Sequence, residues 1–125
     1  MGKFVMKCNK EKGKSSFSLK AGNGEVILVS ETYSSEKACR NGIESIRKNA
    51  CAPVEDQTVS GYEALKHPKY EIYKDKAGEF RFRLKASNGE IVGVGEGYKA
   101  KASCRNGIKS IGKNAPEAPV QEIEA

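Results

Sequence analysis

The sequence FSLKAGNGEVILVSETYSSEKACRNGIESIRKNA, at residues 17–50, is followed by a second version of itself, FRLKASNGEIVGVGEGYKAKASCRNGIKSIGKNA, at residues 82–115. The two stretches align without a gap, and 20 of their 34 positions are identical. A self-match of this length is typical of a repeated structural unit. We therefore predict repeat one over residues 1–60, a linker over 61–68 and repeat two over 69–125.

The length of the chain favours one domain built from both repeats. A chain of 125 residues fits one ordinary domain. It buries roughly two thirds of its unfolded surface, whereas a lone unit of about 50 residues is marginal. We therefore expect residues 1–125 to form a single domain, a monomer whose two repeats pair with each other.

Alternating apolar and polar residues predict three strands at the start of each repeat. The alternation is cleanest in repeat two, where Phe82 and Leu84 share one face while Arg83 and Lys85 share the other. The predicted strands are Lys3–Asn9, Ser15–Ala21 and Val26–Glu31 in repeat one, and Lys69–Asp75, Phe80–Ala86 and Ile91–Glu96 in repeat two.

An Asn-Gly pair separates the second and third strands of each repeat, at Asn23-Gly24 and Asn88-Gly89. This is a strong hairpin signal, because both central residues of a type I′ turn need a positive φ. A two-residue loop would pair Leu19 with Leu28, and a three-residue loop with a bulge would turn the third strand over. The sequence leaves these two registers open.

A helix follows the third strand, beginning near Ser34 in repeat one and near Lys99 in repeat two. Ser34 suits the N-cap position, and the second copy has no such residue. Pro53 and Pro116 prevent the helices from continuing. An apolar stripe runs along each helix, formed by Cys39, Ile43, Ile46 and Ala50 and by Cys104, Ile108, Ile111 and Ala115.

Each helix carries a glycine beside its apolar stripe, Gly42 or Gly107. A mid-helix glycine costs about 1 kcal/mol relative to alanine. We therefore expect a close approach between helix and sheet at these positions. After the helices, Val54–Val59 and Val120–Ile123 have the composition of a fourth strand in each repeat.

The repeated motifs resemble those of the YegP family of small bacterial proteins, over nearly the whole chain. The motifs are K-A-x-N-G-E at 20–25 and 85–90, E-x-Y at 31–33 and 96–98, and N-G-I-x-S-I at 41–46 and 106–111. The resemblance implies an α+β fold of tandem β-β-β-α-β repeats. It further implies a single antiparallel sheet, two helices on one face and C-terminal strands exchanged between the repeats. The family carries no established activity, so the resemblance implies no mechanism.

The net charge of +6 is unevenly distributed. Residues 1–50 carry 10 Lys and Arg against 5 Asp and Glu, and residues 69–115 carry 11 against 5. Residues 51–68 and 116–125 are acidic, with net charges of −2 and −3. Basic surfaces attract phosphate, which makes nucleic acid or another anion a candidate ligand.

Two groups of basic residues are candidate anion-binding sites. The first lies on the predicted outer sheet face and consists of Lys20, Arg83 and Lys85, with Arg81, Lys7 and Tyr73 as neighbours. A solvated sheet face is the alternative, because few aromatic residues are available for stacking on bases. The second group lies on the helices and includes Arg40 and Arg105, with Asn41, Asn106, Lys48 and Lys113. Their identity in the two copies reflects either a recent duplication or a shared contact.

No catalytic, metal or cofactor motif stands out. Zinc sites need clustered Cys and His ligands at short spacings, and here Cys8, Cys39, Cys51 and Cys104 form no C-x-x-C pair. We expect Cys39 and Cys104 to be buried, reduced thiols, whereas disulfides or a reactive thiol are the alternative. The only histidine, His67, falls in the linker.

The function expected from the sequence is therefore that of a small non-enzymatic module with no metal or cofactor and an unassigned molecular role. The absence of a long apolar run or a signal-like N-terminus predicts a cytoplasmic protein without membrane association. One alternative is weak, sequence-independent binding of nucleic acid or anions through a basic surface. A second, less favoured alternative is an enzyme with its site in the groove between the repeats.

Overall fold

The computed structural model describes residues 2–124 and has the α+β composition that the sequence predicts. Eight elements precede the second helix, and a short 3-10 helix at Ala115–Glu117 follows it. The elements are β1 (Lys3–Asn9), β2 (Lys14–Lys20), β3 (Val26–Val29), α1 (Glu36–Asn49), β4 (Val54–Asp56), β5 (Lys69–Lys74), β6 (Phe80–Lys85), β7 (Ile91–Val94), α2 (Lys101–Asn114) and β8 (Val120–Glu124).

The eight described strands form one sheet in the order β4-β5-β6-β7-β3-β2-β1-β8. The strands from β5 to β1 in that order pair antiparallel, and the two halves meet where Val29 of β3 pairs with Val94 of β7. At the two edges, β4 pairs parallel with β5 and β8 pairs parallel with β1. The prediction of an antiparallel sheet is therefore wrong at both edges, and the sheet is mixed. Parallel neighbours need a long connection rather than a hairpin, and residues 57–68 provide one between β4 and β5.

Most predicted elements are present with shifted ends. β1 has its predicted bounds, while β3 and β7 end two residues early and β4 spans three residues instead of six. α1 begins at Glu36, and its N-cap is Ser35, whose Oγ accepts a hydrogen bond from the Ala38 N–H at 3.1 Å. The prediction of Ser34 as the cap is wrong by one residue. α2 has no side-chain cap, as predicted.

The Asn-Gly pairs form the predicted hairpins, and of the two loop lengths left open the structure has the three-residue one. Gly24 has a φ of 86° and Gly89 one of 82°, while Asn23 keeps a negative φ. The Ala21 N–H donates to the Glu25 carbonyl, so the loop between the paired ends has three residues instead of two. A bulge follows, so Leu19 still pairs with Leu28 while Lys20 pairs with Val26. The hairpin thus has the loop length of the second alternative and the Leu19–Leu28 pairing of the first.

Both helices pack on the same sheet face, and the predicted apolar stripes are buried there. The two glycines allow the predicted close approach to the sheet. A Cβ on Gly42 would lie 3.1 Å from Phe17 of β2 and would collide with the Tyr33 hydroxyl. A Cβ on Gly107 would lie 3.4 Å from Phe82 of β6 and 2.6 Å from the Tyr98 hydroxyl. The tyrosine of each E-x-Y motif therefore packs on the glycine of the N-G-I motif.

Candidate functional site

The sheet face turned away from the helices, here called the outer face, carries the first group of predicted site residues. Its residues alternate with the core residues along each strand, as Lys3, Val5 and Lys7 do with Phe4 and Met6 on β1. One row of directly paired residues crosses this face from edge to edge: Glu55, Glu71, Arg83, Val94, Val29, Ser18, Val5 and Gln121.

In repeat two the outer face is a network of ion pairs. The Lys69 ammonium lies 2.6 Å from Glu55 Oε1 and 3.1 Å from Glu71 Oε2. Glu71 Oε1 lies 2.6 Å from Arg83 Nε and 3.4 Å from Lys85 Nζ. The two glutamates and Lys69 are buried. The charges of Arg83 and Lys85 are therefore largely neutralised within the protein.

The carboxylates of this network stay ionised because they are well hydrogen-bonded. Burial by itself would raise the pKa of Glu55, but hydrogen bonds from Gln57, Lys69 and the Leu65 N–H lower it to about 2. Burial also opposes ionisation of Glu71, whose pKa is lowered by hydrogen bonds from Arg83 and Lys69. Because Leu65 reaches Glu55, the segment between β4 and β5 is anchored to this cluster.

In repeat one the outer face carries four lysines, here called the lysine face: Lys3, Lys7, Lys14 and Lys20. All lie on β1 and β2; the first three are exposed and Lys20 is half-buried. Beside Lys7 lies a shallow depression of about 150 Å³, whose other lining residues are Val5, Ser16, Phe17, Ser18, Val29 and Ser30. The outward positions of β1, β2 and β8 in the described chain hold no carboxylate.

The two halves of the outer face differ at equivalent positions. Lys3 pairs with Lys20 across β1 and β2, as Lys69 pairs with Lys85 across β5 and β6. Where β5 has Glu71, β1 has Val5. The edge strand beside β5 contributes Glu55 from repeat one, and the edge strand beside β1 contributes Gln121 from repeat two. Sequence reasoning identified Lys20 and Lys7 but missed Lys3 and Lys14. The signal was present in the sequence, because an upstream extension of the repeat alignment matches Lys3-Phe4-Val5-Met6 with Lys69-Tyr70-Glu71-Ile72.

The second predicted group, on the helices, is held in ion pairs between the helices and the sheet edges. Arg40 of α1 lies 3.2 Å from Glu36 and 3.1 Å from Glu122 of β8. Arg105 of α2 lies 3.2 Å from Asp56 of β4. The lysine face and the helix arginines therefore lie on opposite sides of the sheet. No described contact brings the two predicted groups together.

Within residues 2–124, one group of side chains has the chemistry to hold a metal ion. The Cys8 thiol, Glu36 and Glu122 place their ligand atoms within 4.8 Å of one another. The Arg40 guanidinium already binds both carboxylates. Because Arg40 supplies a cation there, the arrangement is also that of a surface ion-pair cluster next to a buried thiol.

The groove between the repeats, where an enzyme site was considered, lies between α1 and the hairpin after β6. It has a volume of about 360 Å³. His67 is exposed beside Gly89 and does not line it. The lining residues are Asn41, Glu44, Ser45, Lys48, Asn49, Ala86, Ser87 and Asn88, among which no nucleophile and base are hydrogen-bonded to each other in the described chain.

A family model described as a domain of unknown function (DUF1508) matches residues 11–56 and 75–122, once in each repeat. The UPF0339 protein YegP of Yersinia pestis is 37% identical over 123 residues, which cover 98% of this chain and 96% of the relative. The chain belongs to the YegP family. The solution NMR structure of Escherichia coli yegP, a protein of unknown function, superposes with a TM-score of 0.79 at 32% identity and covers 99% of this chain and 94% of its own.

Some relatives in the YegP family have the length of a single repeat. The UPF0339 protein of Treponema denticola is 62% identical over 55 residues, which are 44% of this chain but 95% of the relative. The names of these relatives state no activity, and they come from bacteria. None of the helices within residues 2–124 has the length and apolar character needed to cross a membrane.

Proposed function

We propose that this YegP-family protein is a non-enzymatic module that binds polyanions, nucleic-acid phosphates in particular, through the lysine face. The observation that supports the proposal is the contrast between the two outer faces. The basic residues of β5 and β6 are neutralised by Glu71 and by Glu55 of the neighbouring β4, whereas β1 and β2 present four lysines and no carboxylate on the described strands that carry them.

The chemistry of the lysine face favours contacts to phosphate rather than to bases. Lysine ammonium groups attract the phosphate backbone and release its counterions on binding. The hydroxyls of Ser16 and Ser18 in the depression add donors for phosphate oxygens, whereas that of Ser30 already donates to the Glu31 carbonyl. The outward positions of β1 and β2 carry no aromatic ring on which a base would stack. Binding is therefore weak, indifferent to sequence and steeply dependent on salt.

Four of the five basic residues predicted from the sequence as binding candidates lie outside the lysine face. Arg83 and Lys85 hold the buried Glu71, and Arg40 and Arg105 hold carboxylates of the edge strands. The fifth candidate, Lys20, belongs to the lysine face.

A second part of the proposal concerns how the two repeats are arranged in the chain. We infer that residues 1–125 act as one monomeric domain whose repeats exchange C-terminal strands, supported by the pairing of β4 with β5 and of β8 with β1. The cysteines within residues 2–124 are free thiols, which suits a reducing compartment such as the cytoplasm.

A fluorescence titration with mixed-sequence single-stranded oligonucleotides tests the binding proposal. The wild-type affinity should fall steeply between roughly 50 and 200 mM salt, with a logarithmic slope of about 0.7 per phosphate contact. Replacing the four lysines of the face with glutamine should abolish most of the binding and flatten the slope. The matched control replaces four exposed lysines elsewhere, Lys37, Lys66, Lys76 and Lys109. The proposal fails if the wild type does not bind at roughly 50 mM salt, or if both variants lose the same affinity.

A further inference from the structure

We infer that the Lys3–Lys20 pair holds one phosphate-type oxyanion in the place that the Glu71 carboxylate takes between Lys69 and Lys85. This inference rests on the proposed function of the lysine face, and it names the ligand class and the position at which it binds. The ligand chemistry is that of a phosphate group, whether free or part of a nucleic acid.

Repeat two shows how the fold neutralises a directly opposed lysine pair. Lys69 and Lys85 face each other across β5 and β6, an arrangement of like charges that destabilises a sheet. Glu71 Oε2 lies 3.1 Å from the Lys69 ammonium, and Glu71 Oε1 lies 3.4 Å from that of Lys85. One anionic group therefore bridges both cations, and Glu55 adds a second carboxylate on Lys69.

The equivalent lysine pair on β1 and β2 has neither carboxylate beside it. Lys3 and Lys20 occupy the same register, with Val5 in the place of Glu71. The Lys3 ammonium donates a hydrogen bond of 2.7 Å to Gln121 Oε1, a neutral acceptor in the place of Glu55. The amide satisfies one donor but compensates no charge. Within the described chain, Lys3 and Lys20 have no carboxylate partner of the kind that Lys69 and Lys85 have.

The surrounding residues suit a phosphate group better than a bulky organic ligand. Val5 is short and buried, so it forms an apolar floor where Glu71 extends in repeat two. Ser18 lies where Arg83 lies in repeat two and offers a hydroxyl donor beside the lysine pair. A phosphate has enough oxygens to accept from two ammonium groups and one hydroxyl at once, which gives charge-assisted hydrogen bonds.

The experiment grafts the missing carboxylate and uses inorganic phosphate as the probe. In Val5→Glu, the new carboxylate takes the position of Glu71 and should neutralise the lysine pair internally. The matched control, Val59→Glu, makes the same change at an exposed position between β4 and β5. Backbone NMR shifts and Tm are recorded in phosphate and in chloride of equal ionic strength.

We expect phosphate to shift the amides around Lys3, Ser18 and Lys20 and to raise the Tm of the wild type and of Val59→Glu, because a ligand of the folded state stabilises it. Val5→Glu should lose both effects. If Val5→Glu does not fold, Lys3→Gln/Lys20→Gln serves instead and should lose them too. The inference is overturned if wild-type shifts are absent, lie elsewhere or persist in these variants.

The oligonucleotide titration separates this inference from the proposal on which it rests. Should phosphate leave the lysine pair unaffected while oligonucleotides still bind the lysine face, the single-anion site is wrong and the polyanion proposal stands. If phosphate binds the lysine pair but no oligonucleotide binds, the ligand is a free phosphate group and the nucleic-acid proposal is wrong.

Discussion

Arg105 of α2 donates a hydrogen bond of 3.2 Å to Asp56 of β4, a strand that follows the other helix in the chain. Arg40 of α1 makes the equivalent contact, at 3.1 Å, to Glu122 of β8. Each helix is thus bound to the edge strand that follows the other helix. The shared contact is a physical reason for an arginine at both positions.

A fragment of residues 1–60 should form a homodimer. In the full chain β4 pairs with β5 and β1 pairs with β8, so a lone repeat one has an unpaired β4 and an open edge on β1. A second copy offers β4 to β1, and the single-repeat length of the Treponema denticola relative fits such an assembly. Sedimentation equilibrium measures the mass. Residues 1–50, which lack β4, are the control and should be unfolded; a folded monomer of either fragment would contradict the shared core.

The order of the elements could be predicted because each hydrophobic pattern occurs in both repeats. The alternation around Phe82 and the stripe around Ile43 each occur twice, and both are buried in the structure. The direction of the edge strands could not be predicted, because Val54 and Val120 begin segments that no hairpin connects to their partner strands. Hairpin signals are local, whereas parallel pairing at an edge is decided by the tertiary structure.

The candidate site was predicted only in part, for a related reason. The sequence shows where lysine and arginine lie on a strand, and Lys20 and Arg83 were both assigned correctly to the outer face. It does not show which carboxylate reaches them. Glu55 lies 14 residues before Lys69, and the parallel pairing of β4 with β5 brings the two together.

Thiol labelling should reveal one fast cysteine per native chain. Cys51 is exposed, whereas Cys8, Cys39 and Cys104 are buried. Burial raises the pKa of Cys39 and of Cys104 to about 11, and the thiolate is the reactive form. A colorimetric thiol reagent near neutral pH should give one fast and three slow reactions, all fast in urea. Cys51→Ser should remove the fast phase; rapid native labelling of Cys39 and Cys104 would contradict their burial.

The buried carboxylate of Glu55 should make stability fall in acid. Its pKa is lowered from 4.5 to about 2, so its contribution is complete above about pH 4.5 and is lost as the pH falls towards 2. Glu55→Gln should cost roughly 3 kcal/mol at pH 7, because it breaks a buried ion pair. The variant should also depend less on pH between 5 and 2. Urea unfolding at several pH values measures both effects, with exposed Glu63→Gln as the control; equal pH dependence of all three proteins would refute the prediction.

Alanine at two glycines of α2 should have opposite effects on stability. At Gly107 a Cβ would lie 2.6 Å from the Tyr98 hydroxyl, so overpacking should outweigh the gain in helix propensity and cost about 1 kcal/mol net. At Gly112 the nearest atoms to a Cβ are 3.5 Å away, an ordinary contact. Gly112→Ala should therefore stabilise the protein by roughly 0.5–1 kcal/mol. Chemical denaturation of the two variants measures the difference.

The double variant Gly107→Ala/Tyr98→Phe identifies the cause of the loss at Gly107. Removing the hydroxyl leaves the ring carbon Cζ at 3.2 Å from the Cβ position, a contact that a small shift relieves. The double variant should therefore recover part of the stability lost in Gly107→Ala, relative to Tyr98→Phe alone. Additive effects of the two substitutions would place the strain elsewhere in the helix, because residues that do not interact give additive free energies. The packing of Tyr98 on Gly107 would then not be the reason for a glycine in the middle of α2.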